Sequence, residues 1–318
     1  MKPLLVDTLP QTKGILLTRD LIAAGFRKAE VLDWMRAGAI IRVRRGAFVP
    51  EHLWNSASED ARHRLLVQAT ALLHPSPLLF SHYAAAALHR MPLIGPWPHR
   101  VHVLEPMASG GSSMPSLFVH RTTISRSDQV IDGLMVTGVE RTLVDVACSD
   151  GFLQSVAMID YAIHKGRATC DSLLEELAYV APGRGAKKAA RAIYFADGRA
   201  ESVGESLSRV RMHELGFQLP ELQTEFRGPG GARAFVDFSW RRGRLIGEFD
   251  GREKYLNPEL TRGRSTQSIL LAEKDREDWI RPQVDGFFRW GWGLAWDQRR
   301  FGEFLQTHGV PRRDSATF

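Results

Sequence analysis

Three carboxylates can be brought together in the stretch FVDFSWRRGRLIGEFDGREKY, residues 235–255. Residues 235–240 read as one strand, Arg241-Arg242-Gly243 as a tight basic turn, and 245–250 as a second strand. Side chains alternate along a strand, so Glu248 and Asp250 share a face while Leu245, Gly247 and Phe249 take the other. Paired as a hairpin, the strands add Asp237 to the two acids and put Val236, Phe238 and Trp240 on the buried side. Acids this close repel one another unless a cation lies between them. A hard divalent ion with oxygen ligands meets that need, and such an ion lowers the pKa of bound water and stabilises charge on a phosphate. The predicted chemistry is phosphodiester cleavage, with Asp237, Glu248 and Asp250 as ligands and Mg²⁺ or Mn²⁺ as the ion. Taken singly, each acid reads more readily as a solvated surface group than as a ligand. Their shared phase carries the prediction.

The elements that would position these acids follow in a definite order. Residues 201–215 read as a helix stopped by Gly216, 223–227 as a strand, then come the two hairpin strands, a helix over 267–281 and a last strand over 286–292. This αβββαβ order resembles the core of PD-(D/E)XK nucleases, and more closely the DUF559 and very-short-patch-repair endonuclease-like group. The resemblance rests on ESLSR at 205–209, VDF at 236–238, GEFDG at 247–251, KY at 254–255, EKDRED at 273–278 and RWGWGLAW at 289–296. It implies that Asp237 and Glu248 are the first two acids of the motif. The lysine that normally stands two residues after the glutamate is Asp250 here, so Lys254 or Lys274 is expected to return an ammonium group to the site. Glu205 is expected to add or orient a ligand. Arg276 reads either as a phosphate partner or as half of a salt bridge.

A second kind of chemistry is suggested at the other end of the chain. The net charge is +6, and residues 1–50 hold nine basic side chains against four acids. Such clustering favours an acidic partner, nucleic acid above all. Residues 16–25 read as a short helix with Thr18 as N-cap and Gly25 as its stop, and Arg27 to Ala37 as a second helix closed by Gly38. IIRVRRGAFV, residues 40–49, alternates apolar and basic residues around Arg45-Gly46 and reads as a hairpin. Two helices and a basic hairpin resemble a winged helix-turn-helix, in which the second helix enters the major groove and the wing meets phosphates. That likeness implies Arg27, Lys28 and Arg36 on the groove side and Arg42, Arg44 and Arg45 on the wing. The plainer alternative is a small helical domain with solvated arginines.

The middle of the chain carries no catalytic signature. Helices are predicted over 61–74, 81–89 (Ser81 as cap) and from 138, with strands at 101–104 and 117–120. His82 and His89 lie seven apart on one helix face, so they form either a ligand pair or, more simply, hydrogen-bonded core histidines. PGRGAKK at 182–188 reads as a loop entering a helix and lacks the pattern of a phosphate-binding loop. LTRDLIAAG with RVRRGAFVP, then SHYAAAALHRMPL, then VTGVERTLVDVA, is similar in order and spacing to AbiEi-type antitoxin-like proteins of actinobacteria. That resemblance covers roughly residues 10–195. It implies a DNA-binding autorepressor with a mixed α/β domain for structure or partner contact, and a cognate toxin as partner.

At 318 residues, 44% hydrophobic and 25% charged, the composition is that of a globular chain. No run approaches the roughly 18 apolar residues of a membrane span, and the start lacks the apolar core of a secretory signal. Two cysteines make no disulfide or metal framework, so a cytoplasmic location is expected. The fold expected is α/β multidomain: a winged helix over 1–54, a mixed α/β domain over 55–195 and a restriction-endonuclease-like core over 196–318. The expected function is DNA binding with metal-dependent cleavage of double-stranded DNA, in defence, toxin–antitoxin or repair. The alternative is a non-enzymatic repressor or antitoxin, acting as a homodimer on operator DNA.

Overall fold

A computed structural model describes residues 12–106, 115–122, 129–180, 183–241, 244–251 and 266–313. The chain is mixed α/β, with three sheets and thirteen helices among the described residues. None of these helices is long and apolar enough to cross a membrane. Two compact units emerge: residues 1–150 with 168–191, and residues 151–167 with 192–318.

The first unit opens with β1 (Leu16–Leu17), α1 (Thr18–Ala23), α2 (Lys28–Arg36), β2 (Ile40–Arg44) and β3 (Ala47–Pro50). The strands form an antiparallel sheet in the order β1-β3-β2, and Gly46 turns the hairpin at a φ of 89°. The predicted first helix begins two residues late, because Leu16 and Leu17 are taken by the sheet. Its N-cap is accordingly Leu17 rather than Thr18, with no side-chain cap.

Alternation sends Leu16, Ile40 and Phe48 to one face, where Leu21, Val31 and Trp34 of the two helices cover them. Ile15, Leu17, Ala47 and Val49 face the other way, onto Ala69, Leu65 and Leu72. Those last three belong to α4 (Glu59–Leu73), which follows α3 (Glu51–Ser56). The expected boundary at residue 54 therefore does not separate two cores: the hairpin needs α4 to bury its second face.

The rest of this unit is a five-stranded sheet in the order β6-β5-β4-β8-β7. It is built from β4 (Leu79–Phe80), β5 (Val101–Pro106), β6 (Leu117–Thr122), β7 (Gln129–Ile131) and β8 (Leu134–Val136). α5 (His82–Leu88) lies between β4 and β5 in sequence and packs on the sheet with α4, through Val67, Ala84, Ala85 and Leu88. Ser81 is the N-cap residue of α5, but its side chain makes no cap bond. α6 (Val139–Ser149) packs against α5 and against α8 (Cys170–Val180).

The second unit takes α7 (Phe152–His164), the end of α9 (Ala186–Phe195), α10 (Val203–Glu214), β9 (Glu221–Arg227), β10 (Arg233–Trp240), β11 (Leu245–Phe249), α11 (Thr266–Ile280), β12 (Gly286–Trp290), α12 (Trp292–Trp296) and α13 (Gln298–Thr307). Its sheet runs β12-β11-β10-β9, antiparallel except where β11 and β12 lie parallel. The segment from 292, read as the end of a strand, is helical. Both sheet faces are covered. Leu207, Met212, Ala295, Phe301 and Leu305 pack on Phe238, Trp240, Phe249 and Trp290, and Ile280 with Trp279 packs on Val236, Ile246 and Phe287. Every residue of β11 is buried as a result, Glu248 included.

Candidate functional site

β10 does not keep one phase. Val236 packs with Ile246, whereas Phe238, two residues on, stacks on Trp290 at 5.1 Å on the face of Leu245 and Phe249. The expectation that Val236, Phe238 and Trp240 share one side is thus corrected at its first member. The inversion falls at Asp237. Pairing with β9 is regular on both sides of it (Val236 with Thr224, Phe238 with Leu222), and Gln223, between those partners, has a left-handed φ of 50°. Such a backbone is costly for a residue with a side chain. Phe238 pairs with Gly247, so Asp237 and Glu248 are the next residues along the same ladder, and Asp237 Oδ2 accepts the Phe249 N–H at 2.8 Å.

Glu205 joins them from the first turn of α10. Ser202 caps that helix by accepting the Glu205 N–H at 3.2 Å, which fixes the direction of the carboxylate. The carboxylate in turn accepts from Ser202 Oγ (2.8 Å), the Glu201 N–H (3.0 Å) and Gln223 Nε2 (3.3 Å). Gln223 thereby links the strained strand position to the helix cap. Burial first, and the charge of Asp237 second, push Glu205 up to about 7, against the pull of its hydrogen-bond donors.

Glu248 has a different setting. It pairs in register with Arg289 on β12. Its carboxylate lies 2.8 Å from Arg276 Nη2 and 3.0 Å from Arg289 Nη2. Arg289 also reaches Glu273 (3.3 Å) and Glu277 (3.1 Å) on α11. Burial raises the Glu248 pKa while the two arginines pull it back. Of the two readings of Arg276, the salt bridge is the one observed, to an acid on a distant strand. Arg289 went unrecognised in the sequence, although RWGWGLAW contained it. The signal that finds it is the parallel register of β11 and β12.

Asp250 and Lys274 are exposed, and Lys254 lies outside the described residues. The structure thus gathers Glu205, Asp237 and Glu248 and leaves Asp250 and Lys274 at the surface. Among the described residues these acids do not bring three ligand atoms within 4.8 Å of one another. Asp237 and Glu205 suit a cation, since the charge of Asp237 bears on the buried Glu205 carboxyl. Glu248 already has its cations.

The predicted nucleic-acid face is mostly at the surface. Arg27, Lys28, Arg36, Arg42 and Arg45 are exposed. Arg27 sits at the N-cap of α2 beside Glu30 (3.2 Å), and Arg36 beside Asp33 (3.0 Å). Arg44 departs from the expectation. A bulge between Arg42 and Arg44 turns its guanidinium inward, where it donates to Thr70 Oγ1 (3.2 Å), the His99 carbonyl (3.1 Å) and the Ser116 carbonyl (3.4 Å). It is a structural strut, not a wing contact.

No family model matches the chain. Two uncharacterized proteins of Mycobacterium tuberculosis, Rv2248 of strain ATCC 25618 / H37Rv and MT2308 of strain CDC 1551 / Oshkosh, are each 33% identical to it over 173 residues. The match takes in 54% of this chain and 62% of each relative's length. Among solved structures, the RV2827C protein from Mycobacterium tuberculosis is similar with a TM-score of 0.38 and 16% identity, over 57% of this chain and 71% of that one.

The histidines also rearrange the expected picture. His89 Nε2 bonds the Thr137 carbonyl at 2.8 Å within the core. His82 instead stacks on His120, with ring centroids 3.5 Å apart, and lies 5.7 Å from the ring of His102. The pair seven apart on one helix is not the unit; a trio from three elements is. Spacing along the chain gave no sign of it.

Proposed function

We propose that this chain binds double-stranded DNA through its N-terminal helices and hairpin, and cleaves a phosphodiester with a restriction-endonuclease-like C-terminal unit. The observation that carries the reading is that Asp237, at the irregular point of an αβββαβ unit, lies within electrostatic reach of both Glu205 and Glu248. The repulsion between buried Glu205 and Asp237 favours a Mg²⁺ or Mn²⁺ ion between those two acids. Such an ion would supply a more acidic water and charge stabilisation at the phosphate. Gln223 and Ser202 hold Glu205 in place, and the Phe249 N–H holds Asp237. Arg276, partly exposed beside Glu248, is placed to exchange that carboxylate for a phosphate oxygen. Two helices followed by a hairpin with exposed Arg42 and Arg45 support a winged-helix reading of residues 12–50, with phosphate contacts setting the register on DNA. The test is incubation of the full chain with supercoiled plasmid in Mg²⁺, Mn²⁺ or EDTA. Metal-dependent nicking supports an enzyme, and intact plasmid in all three removes the cleavage reading.

A second reading is favoured by one observation: Glu248 is neutralised by Arg276 and Arg289, and Asp250 stands where the motif has lysine. A nuclease-like unit arranged in this way can persist as a binding module. The chain would then be a cytoplasmic repressor or antitoxin that binds its operator as a homodimer, with a toxin as partner. A gel shift in EDTA without cutting is its expected outcome.

A further inference from the structure

We propose that His82, His102 and His120 form a site for a borderline transition-metal ion, Zn²⁺ first among them. Their ligand atoms lie within 4.8 Å of one another, and the residues come from the start of α5, from β5 and from β6. β5 and β6 are parallel, with His102 opposite Phe118 and Leu104 opposite His120, so both histidines point from the same sheet face. His102 Nδ1 and His120 Nε2 stand 3.0 Å apart, sharing one proton. Tetrahedral coordination at zinc–nitrogen distances of about 2.0–2.1 Å places ligand nitrogens about 3.3 Å apart. An ion can therefore replace that proton with little movement of the two strands.

The third ligand carries a backbone signature. His82 has a φ of 48° at the start of α5, a conformation that is strained for a non-glycine residue and concentrates at functional sites. The His82 ring stacks on His120, with centroids 3.5 Å apart. Its lone pair lies in the ring plane, so the ring must turn about its side-chain bonds to aim that lone pair at an ion held by the other two. His82 Nδ1 faces Ser81 Oγ at 3.1 Å and Asp145 Oδ2 at 3.9 Å, which leaves Nε2 for an ion. Asp145 is held through its other oxygen by Arg141 Nε at 2.9 Å, while Oδ2 is buried and has no hydrogen-bond partner. A carboxylate behind the non-ligating nitrogen is the usual support of a metal-binding histidine. His102 and His120 are only half-buried, leaving a way in for the ion and a coordination position for water. Three imidazoles select Zn²⁺, Co²⁺ or Ni²⁺ over Mg²⁺, so this site differs in class from the acidic one.

The test uses tag-free full-length protein stripped with a chelator and titrated with Co²⁺. One equivalent of Co²⁺ should give intense visible d–d bands of low coordination number, displaced by Zn²⁺ and unchanged by excess Mg²⁺. His102→Gln and His120→Gln should each weaken binding at least 100-fold. Asp145→Asn should weaken it 10–100-fold, and exposed His52→Gln should leave it unchanged. Weak octahedral bands, or less than a tenth of an equivalent bound by the parent protein, would overturn the site whether or not the variants fold. Full retention of binding in His102→Gln and His120→Gln would overturn it as well.

Discussion

Asp237 and Phe249 are joined across β10 and β11 by a hydrogen bond from the Phe249 N–H to Asp237 Oδ2, at the residue where β10 changes the face it presents. The bond fixes an acid at the junction of two hydrophobic clusters, across from Glu248 at the rung beyond Phe238–Gly247 and within electrostatic reach of Glu205. Asp237→Asn keeps an acceptor for Phe249 and removes the charge. Plasmid nicking should fall at least 100-fold, with the melting temperature held within a few degrees. Undiminished nicking would take Asp237 out of the site.

Glu205 sets a pH dependence of stability. Its folded pKa is about 7 against an ordinary 4.5. Between those values the native state binds the extra proton, so stability falls as pH rises from about 4.5 to 7 and is level above. The effect is on the order of 3 kcal/mol for this group. Glu205→Gln should flatten that slope in denaturant melts of metal-free protein. Mg²⁺ bound between Glu205 and Asp237 should flatten it too, and an unchanged slope at saturating Mg²⁺ counts against an ion there.

The arginines around Glu248 should behave as one unit. Glu248→Ala leaves Arg276 and Arg289 without their shared carboxylate, a change that costs about 3–5 kcal/mol at a buried pair. Combining Glu248→Gln with Arg276→Met should cost less than the two single changes added together. Urea melts of the four proteins measure the coupling, and strict additivity would show that the contacts contribute independently.

Arg42 and Arg45 should act on DNA, and Arg44 on stability. Arg42→Ala with Arg45→Ala should reduce the slope of log affinity against log salt by about 2, near 0.9 for each lost phosphate contact. Arg44→Ala instead deprives two carbonyls and a hydroxyl of their donor and should cost about 1–3 kcal/mol. Fluorescence anisotropy at several salt concentrations, together with thermal melts, separates the two effects. A salt slope equally altered by all three changes would place Arg44 back at the DNA face.

Gly247 is fixed by close packing. A Cβ there would stand 2.5 Å from the Trp290 ring and 3.3 Å from Trp240. Gly247→Ala should destabilise by about 1–3 kcal/mol through overpacking, read as a lower melting temperature without loss of the β-sheet signal.

Much of the element order was legible because periodicity reports local structure. The hairpin at 40–50, the strands at 101 and 117, and the helix–strand order from 203 to 290 all follow from alternation, glycine stops and apolar faces. What was not legible depends on distant partners. Leu16 and Leu17 are strand because Phe48 and Ala47 pair with them. Val236 changes sides at the rung where Gln223 on the neighbouring strand takes a left-handed backbone. Arg44 turns inward because Thr70, His99 and Ser116 lie there. In the acidic site, Asp237, Glu248 and Glu205 could be named from their motifs. Arg289 became visible only with the parallel register, and the histidine trio only with three elements in place.

The sandwiching of the N-terminal hairpin between two hydrophobic clusters bears on the thermodynamics of any partner it meets. Cover on both faces, with Arg44 bolted to neighbouring loops, gives the exposed Arg42 and Arg45 a rigid base. Little ordering remains for an encounter to demand of the backbone, so association there should lack the large negative heat-capacity change of coupled folding. Its temperature dependence should be set by released counterions and displaced water.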